Sequence, residues 1–143
     1  MASLGPTYVV NVDVAVHDGD RYLLIERAAS EPHAAGQLAF PGGKLEAPPG
    51  TDAAIAATAR REVREEVGLE IGPVEYVCSR TFRADDGTRC LNVVTRAPHA
   101  DGTATVREPD EVAAVHWLTP AAARAREPPA YLLGYLDQVE ASR

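Results

Sequence analysis

Apolar side chains recur at every second position early in the chain, at Val10, Val12, Val14 and Val16. That is the period of a strand with one buried face. Asp18-Gly19-Asp20 breaks the pattern as a turn, and RYLLIERA resumes it, which predicts a hairpin. ASEPHAAG reads as a loop, and QLAFPGGK as a short extended piece closed by a Pro-Gly-Gly turn. After a second loop, LEAPPGTD, the period lengthens. Ala56, Ala59, Val63 and Val67 follow steps of three, four and four, so Ala53–Val67 is expected to be a helix. Thr51 or Asp52 is its expected N-cap and Gly68 its stop. Two β-rich stretches, VEYVCSRTF and RCLNVVTRA, flank a hairpin turn at Asp85-Asp86-Gly87, and EVAAVHWL is a further strand. Thr119-Pro120 opens a short helix, and AYLLGYLDQVEA is the last one. Strands and helices mix without strict alternation, which predicts an α+β, or mixed α/β, fold.

The chain has 143 residues, enough for one domain with a hydrophobic core, and we read residues 1–143 as that single domain. Apolar residues make up 45% and charged residues 24%, ordinary values for a globular protein. A net charge of -7 offers no basic field to a long nucleic acid, so none is expected as a partner. It leaves room for one small phosphorylated ligand, because a bound cation reverses the local charge balance. No run is long and apolar enough to span a bilayer, and MASLGPTYVV lacks the pattern of a secretion signal. The expectation is a cytoplasmic protein without a membrane partner. Cys78 and Cys90 are too few for a disulfide scaffold and lack metal-ligand spacing, so they read as small packing thiols.

The charge of the long helix is concentrated in ARREVREEVGLEI. Glu62, Glu65 and Glu66 stand at i, i+3 and i+4 and therefore share one face, beside the apolar stripe. An i, i+4 pair such as Arg61 and Glu65 would suit a plain solvated face. Glu62 and Glu66 at the same spacing repel, which a shared divalent cation would relieve. Oxygen ligands suit Mg²⁺ or Mn²⁺. The PGGK segment upstream supplies glycines that let the backbone approach a ligand, followed by Lys44, which suits a phosphate.

FPGGKLE and RREVREEVGL together resemble the Nudix box of the Nudix hydrolase family. Arg61, Glu62, Val63, Glu65, Glu66, Gly68 and Leu69 match its second half position for position, and Gly43 matches its opening glycine. ERAASEPHAAGQLAFPGGKLE is similar to the MutT-type branch, and the hairpin order and DEVAAVHWL extend the likeness over most of the chain. The box departs from the usual pattern in one respect. Eighteen residues, Lys44 to Arg61, separate Gly43 from Glu62, four more than usual, and Ala53 occupies the place of the box's earlier glutamate. Glu46 or Asp52 is the candidate replacement in space.

The resemblance implies an α/β/α sandwich with a central mixed sheet and the box helix packed on it. It also implies Mg²⁺-dependent attack of water on a phosphorus of a P–O–P bridge, with Mn²⁺ as the alternative ion. Glu62, Glu65 and Glu66 would hold the cations, with the Gly42 carbonyl as backbone ligand and Arg61 orienting a box carboxylate. Glu111, six residues before Trp117, matches a late metal-binding glutamate, with Glu108 and Asp110 as neighbours. Gly43 and Lys44 would meet phosphate, and Arg27, Phe82, Asn92 and Tyr8 are candidates for the base pocket. Trp117 is expected to be a packing anchor, and His33 and His116 to have no special role.

Features of other branches are missing. Pro32 stands where coenzyme A diphosphatases tend to carry arginine; no proline lies between Pro73 and Pro98, and no tyrosine between Tyr76 and Tyr131. The resemblance therefore implies a nucleoside triphosphate pyrophosphohydrolase acting on dNTPs or oxidised dNTPs. The alternatives are an ADP-ribose or nucleotide-sugar pyrophosphatase and, from another class, a silent nucleotide-sensing domain or a bare interaction domain with a solvated acidic helix. A homodimer through the last helix is the expected assembly if that helix does not cover its own sheet.

Overall fold

The structure is a computed structural model and describes residues 4–32 and 34–143, so His33 and its expected lack of a role lie outside it. In chain order the elements are β1 (Val9–Asp18), β2 (Arg21–Arg27), β3 (Leu38–Ala39), β4 (Gly42–Lys44), α1 (Ala54–Val67), β5 (Glu70–Ile71), β6 (Glu75–Arg83), β7 (Arg89–Asp101), β8 (Val112–Leu118), α2 (Pro120–Ala125) and α3 (Ala130–Ala141). β1 lies at the centre, parallel to β7 from Val9↔Cys90 to His17↔Pro98 and antiparallel to β4 along its other edge. β6 and β5 pair antiparallel with β7, while β2 carries β3 and β8.

The alternation in β1 decides the layering. Val12, Val14 and Val16 face a core that takes Ala59, Val63 and Val67 from α1, with Leu23, Ile25 and Leu69. On the other face Ala15, Tyr22, Leu24, Phe40 and Val94 pack with Ala123 of α2 and Leu132, Tyr135, Leu136 and Val139 of α3. Two helical layers thus enclose a mixed sheet, the expected α/β/α sandwich. Trp117 packs against the first core as an anchor, as expected. α3 closes over its own sheet, and its end is tied down by the bond between Tyr22 and Glu140 and by Arg143 Nη1 donating to Tyr22 Oη at 3.0 Å.

Two local expectations are corrected, and the first hairpin is borne out in a shorter form. PGGK is not a terminal turn, because Gly42–Lys44 forms strand β4, with Asp13↔Gly42, Val12↔Gly43 and Asn11↔Lys44 in register. The β1–β2 hairpin is real but shares only His17↔Tyr22 and Asp18↔Arg21, since β4 occupies the edge of β1 beyond the turn. Neither Thr51 nor Asp52 caps α1. Ala53 holds that place in the left-handed conformation, φ 48°, without a side-chain bond, while Thr51 Oγ1 donates to the Pro48 carbonyl at 2.8 Å. The other caps follow the sequence. Gly68 ends α1 at φ 75°, and Thr119 Oγ1 accepts from the Ala122 amide at 3.2 Å.

Candidate active site

α1 places its glutamates unequally. Glu66 lies on the buried side with Val63 and Val67, at 4% exposure, whereas Glu65 is exposed and Glu62 is between the two. Burial follows the helix period, since Glu66 sits three residues after Val63 on the face that meets β1 and β4. The Gly42 amide hydrogen-bonds to Glu66, yet its Oε2 is buried with no protein partner among the described residues. An unpartnered buried carboxylate oxygen is costly unless something positive reaches it.

The glycine pair of β4 is explained by the same helix. A Cβ at Gly43 would stand 2.5 and 2.6 Å from the carboxylate oxygens of Glu62, and one at Gly42 would overlap the Val12 carbonyl and lie 2.9 Å from Asp13 Oδ1. At Gly42 the crowding is with the β1 backbone and only glycine fits, whereas at Gly43 it is with the movable end of the Glu62 side chain. Arg61 Nη2 donates to Glu62 Oε1 at 2.9 Å and to the Lys44 carbonyl at 3.1 Å. Arg61 therefore ties the helix to the strand and orients Glu62 instead of pairing with Glu65 at i, i+4.

The charges are mutually coupled. Burial pushes the Glu66 carboxyl up to about 9, reinforced by the negative charges of Glu62 and Glu111 and opposed by the Gly42 amide. Burial also raises Glu62, against the pull of Arg61. Glu108 is raised by burial and then by Glu111, Glu65 and Glu62. Among the described residues no three acidic, His or Cys groups stand close enough to make a ready ligand set. Without a counter-charge, carboxylates of one sign stay apart. The donor chemistry still fits a hard divalent cation, because the orphaned Glu66 oxygen, Glu62 and Glu111 are oxygen donors lining one cavity, and the charge of Glu111 raises both other carboxyls. Asp110 does not line the cavity; its carbonyl accepts from Ser30 Oγ at 3.4 Å.

The cavity that Glu62, Glu66 and Glu111 line has a volume of about 900 Å³. Of the residues singled out in the sequence, Arg27, Gly42, Gly43, Lys44, Glu62, Glu66, Phe82, Asn92 and Glu111 line it. Arg61, Glu65 and Tyr8 do not, and His116 is drawn into a surface group with Glu26 and Arg126. Glu46 lines the cavity as well, whereas Asp52 does not.

The sequence reading missed part of the cavity wall. Asp13 of β1 and Tyr131 and Tyr135 of α3 line it, together with Arg80. Asn92 Nδ2 donates to Asp13 Oδ2 at 2.9 Å and to Tyr135 Oη at 3.1 Å. Burial raises the Asp13 carboxyl to about 6, opposed by Asn92 and by the charge of Arg27. A signal for Asp13 existed, since Asn11 and Asp13 are polar residues at alternate positions inside an apolar strand, and register pairs Asn11 with Asn92. The tyrosines gave none, because α3 reads equally well as a plain core helix.

The NUDIX domain family model matches residues 7–135, nearly the whole chain. This protein belongs to the NUDIX family. Several solved structures superpose closely. The MutT NUDIX hydrolase from Burkholderia pseudomallei is 24% identical at a TM-score of 0.76, covering 93% of this chain and 98% of its own. The E. coli ORF135 protein is 28% identical at 0.71, covering 98% and 94%. The NUDIX domain of Shewanella oneidensis NrtR, solved with ADP ribose, is 19% identical at 0.74, covering 96% and 90%. The chain thus belongs to the Nudix hydrolase family, whose members cleave nucleoside diphosphate-linked substrates and generally use a divalent metal. Among the described residues no helix of this NUDIX domain is long and apolar enough to cross a membrane.

Proposed function

We propose that this domain is a Mg²⁺-dependent nucleoside triphosphate pyrophosphohydrolase, releasing a nucleoside monophosphate and pyrophosphate. The observation that carries the reading is the buried, unpartnered oxygen of Glu66, which lines a cavity that Lys44 also lines. Glu62, Glu66 and Glu111, with Glu65 at the exposed rim and the Gly42 carbonyl, are the groups that would hold cations. When bound, a divalent cation neutralises phosphate charge and lowers the pKa of water. Arg61 keeps Glu62 in place through its bonds to Oε1 and to the Lys44 carbonyl. Lys44 supplies a positive charge to phosphate oxygens. The part of the cavity lined by Phe82 and Tyr131 takes the nucleoside.

Product analysis on a panel tests this, with and without Mg²⁺. The panel holds dNTPs, 8-oxo-dGTP, ADP-ribose, nucleotide sugars, a dinucleoside polyphosphate and coenzyme A. Mg²⁺-dependent release of pyrophosphate and a nucleoside monophosphate is the expected result. A nucleoside monophosphate with a sugar phosphate would move the domain to the ADP-ribose or nucleotide-sugar branch. Binding without turnover would make it a sensor.

A further inference from the structure

One part of the cavity wall is built around the Asp13 carboxylate. Both hydrogens of the Asn92 amide are spent, one on Asp13 Oδ2 and one on Tyr135 Oη, so this amide nitrogen has no hydrogen left for a ligand. Thr95 Oγ1 donates to the Asp13 carbonyl at 2.8 Å and fixes the strand beneath. Asp13 Oδ1 has no hydrogen-bond partner among the described residues, on a side chain that lines the cavity. Two exposed aromatic rings share the cavity wall with it, Phe82 at 43% exposure and Tyr131 at 40%. Tyr131 is braced edge-on by Tyr135, with ring centroids 6.0 Å apart. Exposed rings at a cavity wall give a planar heterocycle its stacking surface, and a carboxylate offers only acceptors to its edge.

From this arrangement we propose that Asp13 is the specificity-determining residue of the site, accepting a hydrogen bond from an amino group of the substrate's nucleobase, with Asn92 as its positioning residue. The inference rests on the nucleotide reading above and names the base chemistry within it. A base that presents an oxo group, or nothing, where the amino group belongs leaves Asp13 Oδ1 unpaired and is discriminated against.

The test uses triphosphates that differ at an amino group, namely dGTP against dITP, dCTP against dUTP, and dATP against the purine deoxynucleoside triphosphate. In the pair the protein uses best, the amino-bearing member is expected to lead by at least about tenfold in kcat/KM. Asp13→Asn, which keeps the shape but replaces an acceptor with a donor, should bring that ratio below threefold, chiefly through KM. Asn92→Ser should lower it in the same direction by a smaller factor. Equal kcat/KM within every pair of the unaltered protein overturns the proposal, whether or not the variants fold; so does an unchanged ratio in Asp13→Asn. Calorimetric binding of GMP against IMP and of CMP against UMP separates the two readings, since it needs no turnover. Selective binding of the amino-bearing monophosphate without hydrolysis of any triphosphate would sink the pyrophosphohydrolase reading and support Asp13. Hydrolysis of triphosphates with no amino preference would do the reverse.

Discussion

Gly43 and Glu62 test the site at the scale of one residue. The space that a methyl group at position 43 would need is filled by the Glu62 carboxylate. That carboxylate is the far end of a flexible side chain, so Gly43→Ala should fold and displace Glu62 from its bond with Arg61. A displacement of about 1 Å at a reacting centre costs roughly 10²-fold. The expected outcome is a fall of about that size in kcat/KM with the thermal midpoint nearly unchanged. Wild-type kinetics from a folded Gly43→Ala protein would remove Glu62 from the machinery. Glu66→Gln is the complementary case. Burial already favours the neutral form of Glu66 below about pH 9, so the amide should be tolerated by the fold. Turnover should drop by orders of magnitude, read by pyrophosphate release, because the amide brings no negative charge to a cation.

At the scale of elements, α1 begins badly and ends well. Ala53 adopts φ 48° with no side-chain cap, a conformation that costs a residue with a Cβ about 1 kcal/mol relative to glycine. Ala53→Gly should therefore raise the urea midpoint by a stability gain of about that size, without change in kcat. Thr119→Ala should lose about 1 kcal/mol, since Thr119 Oγ1 holds the first turn of α2. Together the two substitutions show what was legible. Caps and faces set by side-chain type, such as Thr119, Gly68 and the Val63–Val67 stripe, could be read from the sequence because the interactions are local. β4 could not, because three residues carry no period and their pairing with β1 is a tertiary fact. The same holds for α1's start, where a longer box loop brings in the chain at an angle that Thr51 and Asp52 do not cap. At the site, the box carboxylates and glycines were legible from spacing. The Asp13–Asn92–Tyr135 group joins residues 79 and 43 positions apart and needed the sheet register to appear.

The whole molecule couples its carboxylates to folding. Glu66 has a folded-state value near 9 against an ordinary 4.5, so the folded protein binds more protons than the unfolded chain between these limits. The stability that this group contributes is fully present below pH 4.5 and is lost as pH rises through 9. Asp13, raised from 3.8 to about 6, acts in the same direction over a lower window. Glu70 acts oppositely at acid pH, because Arg64 holds its carboxyl down, but it is exposed and screened. Metal-free protein in chelator should thus show a falling thermal midpoint from about pH 6 to pH 9. Excess Mg²⁺ should flatten or reverse that slope, since the ion binds the deprotonated cluster of the folded state only. At a hundred times its dissociation constant it adds about 2.7 kcal/mol. Binding must then expel the Glu66 proton. Calorimetry at pH 7.5 in buffers of differing ionisation enthalpy should show about one proton released per binding event, and Glu66→Gln should release none. A midpoint indifferent to Mg²⁺ at pH 8, with no proton released, would mean that Glu66 is not part of the ion site and that its unpartnered oxygen is only a cost to the fold.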